Sequence, residues 1–189
     1  MEAEEMNTDL IQSLLTRRSV KPKHLTSPAP GIEQLRLASR CALRAPVHGA
    51  VFPCRFVVIP EERRAELAEL FRAAAARQGA DEQKQQRAAS KALKGPQILA
   101  FIVRTPSEAD ARESLISAGA ALEQFLLALQ AQGFAAITLS GSVLNDQALQ
   151  KAFCQSSEES LLAWITVGTP EAGLELQAQA GEGPFSVWA

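Results

Sequence analysis

Apolar residues recur along the chain first at helical and then at strand-like spacing. Leu10, Ile11, Leu14 and Leu15 share one helical face after Asn7 or Thr8, either of which can cap a helix. That helix ends in the polar, basic Thr16-Arg17-Arg18-Ser19-Val20, and Pro22 bars its continuation. Beyond the connector Ser27-Pro28-Ala29-Pro30-Gly31, the stripe Leu35, Ala38, Ala42 predicts a helix over about 32–43. Pro46 closes it, residues 47–52 read as a loop, and the β-branched and aromatic run 55–59 predicts a strand. Pro60, Glu61 and Glu62 open a third helix, whose stripe of Leu67, Leu70, Phe71 and Ala74 stops before Gly79.

The second half is more apolar. Residues 81–94 predict a solvated helical segment carrying Lys84, Arg87, Lys91 and Lys94. Residues 97–103 are apolar almost throughout, as in a strand covered on both faces. Ser107 and Glu108 open the longest helix, through Leu115, Ala118, Leu122, Phe125, Leu126 and Leu129 to Gly133, and its broad apolar cover predicts a central position. Strands are expected over 134–139 and 161–167, separated by the turn Ser140-Gly141-Ser142 and a helix capped by Asn145 or Asp146. From Gly168-Thr169-Pro170 the chain reads as a polar tail. Its apolar end, Phe185-Ser186-Val187-Trp188, is expected to dock on another surface, such as a second subunit.

Length and charge narrow the classes. At 189 residues with no internal repeat, one domain over 1–189 with its core at about 8–170 is expected. A formal net charge of -2 supplies no basic field for nucleic acid. Cys41, Cys54 and Cys154 give neither an even disulfide framework nor a zinc spacing, so reduced thiols are expected. An acidic start and no run of about 18 apolar residues point to a cytoplasmic protein that binds no membrane.

Side-chain catalysis finds little to work with. His24 and His48 are the two histidines, no phosphate loop or dinucleotide fingerprint is present, and Ser140 lacks the glycines of a nucleophile elbow. Reactivity would more readily come from an organic cofactor. Arg17, Arg18, Ser19 and Lys21 place two guanidiniums, a hydroxyl and an ammonium within five residues, a set able to neutralise a phosphate dianion. The same residues also suit a solvated basic helix end facing the negative pole of the helix dipole. Cys54, at the start of a strand, reads as a small apolar filler.

The order of the pieces carries a resemblance. Arg17-Arg18-Ser19-Val20 ends one helix and Arg44-Ala45-Pro46 ends the next, followed by His48, Phe52-Pro53 and the strand 55–59. Gly95-Pro96 then precedes a buried strand, and Ser117-Ala118-Gly119-Ala120-Ala121 lies in the long helix. Gln132-Gly133-Phe134, Thr138-Leu139-Ser140-Gly141 and Gly168-Thr169-Pro170 complete the series. Over residues 8–170 the chain resembles the nitroreductase family of FMN-dependent homodimers, and its small single-domain branch most closely.

The resemblance implies an α+β fold: a nitroreductase-like α/β sandwich whose mainly antiparallel central sheet is flanked by helices. It implies a homodimer with FMN at the subunit interface and the long helix, 107–132, lying there. It also implies that NADH or NADPH reduces FMN, and that a nitroaromatic, quinone or related small acceptor then takes the electrons in a ping-pong sequence. Residue by residue, it assigns Arg17, Arg18, Ser19 and Lys21 to the FMN phosphate and ribityl chain. Arg44 and His48 would reach the flavin from the other subunit. Thr138, Leu139, Ser140 and Gly141 would offer backbone groups to the isoalloxazine, and no catalytic side chain is required.

The chain departs from the family pattern at Ala50, where an Asn is common, at Phe52-Pro53-Cys54, where Gln-Pro-Trp is common, and at Leu139, where the close branch has Arg. These departures keep a second reading open, a non-catalytic flavin carrier or sensor. A third, cofactor-free interaction protein would treat Arg17-Arg18-Ser19 as a helix end only.

Overall fold

The computed structural model describes residues 8–47, 52–107 and 110–174, together with Pro184, Ser186 and Val187. His48, Ala50, Glu108 and most of the expected docking tail therefore lie outside the described residues. The strands are β1 (Leu25–Thr26), β2 (Cys54–Ile59), β3 (Gln97–Arg104), β4 (Ala135–Leu139) and β5 (Glu159–Pro170). The helices are α1 (Thr8–Thr16), α2 (Ile32–Ala42), α3 (Arg64–Arg77), α4 (Glu82–Lys91), α5 (Ala111–Ala131) and α6 (Gln147–Phe153).

Every ladder in the sheet is antiparallel. β3 lies between β2 and β5, and all six of its interior residues are buried, which is why its sequence shows no alternation. On the other side of β5, β4 and β1 lie end to end: Ala135 pairs with Gly168, and Thr26 with Thr169. The polar tail expected from Gly168 is thus corrected. Residues 168–170 are strand, held by Leu25 and Thr26 and by the Thr169 hydroxyl, which donates to the Pro28 carbonyl at 2.7 Å. A two-residue strand such as β1 has no periodicity to read, so its partner lost its signal as well.

The sheet separates two helical layers. On one face Leu99, Phe101, Val103, Ala163, Ile165 and Val167 meet α2 and α5, where Phe125 stacks on Phe56 with ring centroids 4.0 Å apart. On the other face Ile98, Ala100, Ile102, Leu161 and Trp164 meet α3, α4 and α6. The fold is an α+β sandwich with an antiparallel sheet at its centre. The segment read as solvated is pinned to this second layer by Ala88 and Ala92, both buried. Its end is tied down by the Arg64 guanidinium, which donates to the carbonyls of Ala92 at 2.9 Å, Lys94 at 3.0 Å and Gly95 at 2.7 Å.

α5 starts at Ala111, after a turn in which the Ser107 hydroxyl bonds Asp110. By length and composition alone α5 is apolar enough to cross a membrane. Here it is a core helix on one side only: Ser117, Ala118, Ala121, Phe125 and Leu129 are buried, while Leu115 and Ile116 are 47% and 72% exposed.

Candidate functional site

The basic end of α1 runs alongside β4. Ser19 forms a parallel bridge with Ala136, and the Val20 amide donates to the Ala136 carbonyl at 3.1 Å. Because successive strand residues point their backbone groups to opposite edges, Thr138, two residues on, turns its N–H and C=O to the same outer edge. On the side-chain side, the Thr138 hydroxyl is buried without a hydrogen-bond partner among the described residues.

Two cavities flank this strand. A larger one, of about 400 Å³, opens on the α5 side and is lined by Arg17, Arg18, Leu126, Gln130, Ala136 and Glu171, among others. A smaller one, of about 80 Å³, lies on the α3 side, where Leu139, Ser140 and Gly141 meet Lys91, Trp164 and Thr166. The buried indole N–H of Trp164 also has no protein partner among the described residues. Ala136 and Leu139 are three residues apart, about 10 Å of strand, so a ligand touching both ends must be elongated along β4.

The expected residues are only partly assembled. Arg17 and Arg18 share one cavity, and Leu139, Ser140 and Gly141 share the other. Ser19 and Lys21 are exposed beside β4, and Thr138 stands between the cavities without lining either. Arg44 is an exposed residue just past α2 and lines neither of these two cavities. His48 lies outside the described residues.

Both arginines of the basic turn have partners within the protomer. Arg18 behaves as a helix end, its Nη1 donating to the carbonyls of Leu15 at 2.6 Å and Arg17 at 2.7 Å. Arg17 instead crosses to α5, its Nε 2.5 Å from the Glu123 carboxylate. Lys91 is the residue that sequence reasoning missed. It reads as one cation of a solvated face, and the packing of α4 against α3 puts it in the wall of the smaller cavity with residues 139–142. Cys54 is the filler expected: half-buried against the α2–α5 cluster, its thiol is pushed up to about 12 by burial and stays protonated.

Two guanidiniums, a serine hydroxyl and a lysine just past α1, with a buried hydroxyl unpartnered among the described residues on the adjacent strand, fit a long ligand with an anionic end and a polar-edged ring. A phosphorylated flavin has that form. Among the described residues no cluster of His, Cys, Asp and Glu could hold a metal ion.

Comparison with known proteins identifies the family. The family model described as the nitroreductase family matches residues 14–169. A Haemophilus influenzae protein described as "Putative NAD(P)H nitroreductase" is 34% identical over 164 residues, covering 85% of this chain and 88% of its own. The Escherichia coli protein "Putative NAD(P)H nitroreductase YdjA" is 28% identical over 165 residues, covering 86% and 89%. Among solved structures, a nitroreductase-like family protein from Bacillus cereus superposes with a TM-score of 0.77 at 18% identity over 95% of both chains. A Clostridium difficile structure titled as an FMN-dependent nitroreductase gives 0.68 at 14% identity, over 97% of this chain and all of its own.

Proposed function

Because the chain belongs to the nitroreductase family, in its YdjA-like branch, and is an oxidoreductase, we propose that it is a cytoplasmic, FMN-dependent NAD(P)H oxidoreductase passing electrons to a nitroaromatic, quinone or related small acceptor. The observation that carries this reading is the buried Thr138 hydroxyl on β4, unpartnered among the described residues, on the strand that runs from the arginine cavity to the Lys91 cavity.

FMN, when bound, supplies the reversible two-electron chemistry that no side chain here provides. Arg17 and Ser19 hold the phosphate, with Lys21 adding charge from the same edge. Thr138 and the backbone of residues 138–141 orient the ring by hydrogen bonds at its polar edge. Lys91, in the wall of the smaller cavity, is a cation that would favour added negative charge on a ring held there. Among the thiols, Cys54 stays protonated and takes no part.

A homodimer completes the site. Leu10, Leu14 and Leu15 on α1 are 55%, 46% and 61% exposed and Ile116 on α5 is 72% exposed, and a lone protomer would leave these apolar side chains in water. The two helices are tied together by Gln130 Nε2 donating to the Ser13 carbonyl at 2.9 Å. Their joint face is the surface a partner would cover, and the partner's copies of Arg44 and His48 are proposed to approach the flavin across it.

The test is the absorbance spectrum of purified protein, FMN titration of wild type, Arg17→Ala and Ser19→Ala, and NADH and NADPH oxidation with menadione as acceptor. Bound-flavin bands, weaker binding in both variants and sustained turnover are expected. A protein that stays colourless with excess FMN would overturn the reading. The carrier or sensor reading draws on Leu139, which pairs with Trp164 on the α3 side of the sheet instead of presenting a polar group to the ring. Flavin binding without turnover would favour it.

A further inference from the structure

We propose that Glu123 competes with the cofactor's phosphate for Arg17, and so sets how tightly this protein holds FMN. The inference rests on the FMN reading above. Its starting point is that Arg17, the guanidinium best placed for a phosphate, is engaged by an acidic side chain of its own protomer, with 2.5 Å between its Nε and the Glu123 carboxylate.

Glu123 sits on the helical stripe that walls the larger cavity. Residues 123, 126 and 130 are three and four apart on α5, so they share a face, and Leu126 and Gln130 line the cavity. Both members of the ion pair are partly exposed, Arg17 at 27% and Glu123 at 46% of their side chains, so the pair can open at small cost. The rest of the cavity does little to offset the carboxylate. Arg18 donates to its own helix end, and Glu171, an acidic residue that lines the cavity, is held by His24 Nδ1 at 2.9 Å.

A phosphate dianion arriving at Arg17 therefore meets a neutralised cation. It must displace the carboxylate or share the guanidinium with it at close range, and either way the like charges repel. Removing the Glu123 charge leaves Arg17's fork free and raises the local charge by one. The effect is confined to the phosphate end, since riboflavin carries the same ring without the charge.

The test is a fluorescence titration of the full chain with FMN and with riboflavin. Wild type, Glu123→Gln, Glu123→Ala, Arg17→Ala and the Glu123→Gln/Arg17→Ala double variant are compared, with inorganic phosphate as competitor. The expected result is an FMN dissociation constant about three- to tenfold lower in Glu123→Gln and Glu123→Ala, the size of one partly exposed charge interaction. Riboflavin affinity stays put, inorganic phosphate competes at lower concentration, and the gain shrinks when Arg17 is absent. Thermal melts of the flavin-free variants identify any that have lost their fold, and the second Glu123 variant then decides.

Weaker FMN binding in the Glu123 variants would make Glu123 a positioning residue for Arg17 and overturn the proposal, as would equal shifts for FMN and riboflavin. Either result leaves the FMN reading standing. Absence of flavin uptake by every variant would remove that reading and this inference with it.

Discussion

Gly95 and Gly168 show how single residues hold the site's strand in place. Gly95 sits at φ 71°, in the left-handed region, and a Cβ there would run into the Thr166 methyl, part of the smaller cavity's wall. A Cβ on Gly168 would strike the Pro96 ring and lie 2.9 Å from the Thr26 carbonyl. Gly95-Pro96 and Gly168-Thr169-Pro170 were legible only as landmarks in a series; their physical reason is that they pack against each other. Gly168→Ala is expected to lower unfolding free energy by about 1–3 kcal/mol through overpacking, measured by urea denaturation. Lys91 makes the complementary case. Nothing near it in sequence separates it from Lys84, Arg87 and Lys94, yet it is the lysine at the 139–142 loop. Lys91→Ala should reduce NAD(P)H-driven kcat by about tenfold, roughly 1.4 kcal/mol, with a smaller change in FMN affinity. An unchanged kcat would return Lys91 to the solvated face.

Ion pairs join the elements at the sheet's far end. Arg55 on β2 donates from Nε and Nη2 to the Glu159 carboxylate on β5, both at 2.8 Å, and to the Phe153 carbonyl at the end of α6 at 2.6 Å. Arg77 on α3 donates twice, at 2.7 Å, to Asp146, which also caps α6 by accepting from the Leu149 amide at 2.9 Å. These guanidiniums hold Glu159 and Asp146 down to about 2. Unfolded carboxylates titrate near 4, so over this window the unfolded chain binds more protons than the folded one. The stabilisation is therefore complete above about pH 5 and is lost as pH falls from about 4 towards 2. Denaturant midpoints should be flat near neutrality and drop across that acid range. Glu159→Gln and Asp146→Asn should each lower the neutral plateau and make the drop shallower. Asp146 was legible as a cap because capping is local. Arg77, 69 residues away, was not.

At the scale of the molecule, the exposed apolar surface of α1 and α5 bears on assembly. Ile116→Glu puts a charge on the most exposed large apolar side chain of α5, 72% exposed in the protomer, so it costs the monomer little. In a dimer that buries this face it is expected to shift the mass seen by light scattering towards the 20.3 kDa of one chain, with loss of FMN binding. A variant that stays dimeric and keeps its flavin would move the interface elsewhere.

Local chemistry left its mark on the sequence: the stripes of α2 and α3, the two-sided burial of β3, the Asp146 cap and the charged end of α1 all follow from neighbours within a turn or a strand. The α+β class and the family followed from the order of those pieces. Tertiary structure alone decided that β1 exists, that residues 168–170 are strand, that Lys91 and not its neighbouring cations reaches the 139–142 loop, and that Arg17 faces Glu123. Each of these joins residues far apart in the chain, where periodicity carries no signal and only packing brings charge to charge and edge to edge.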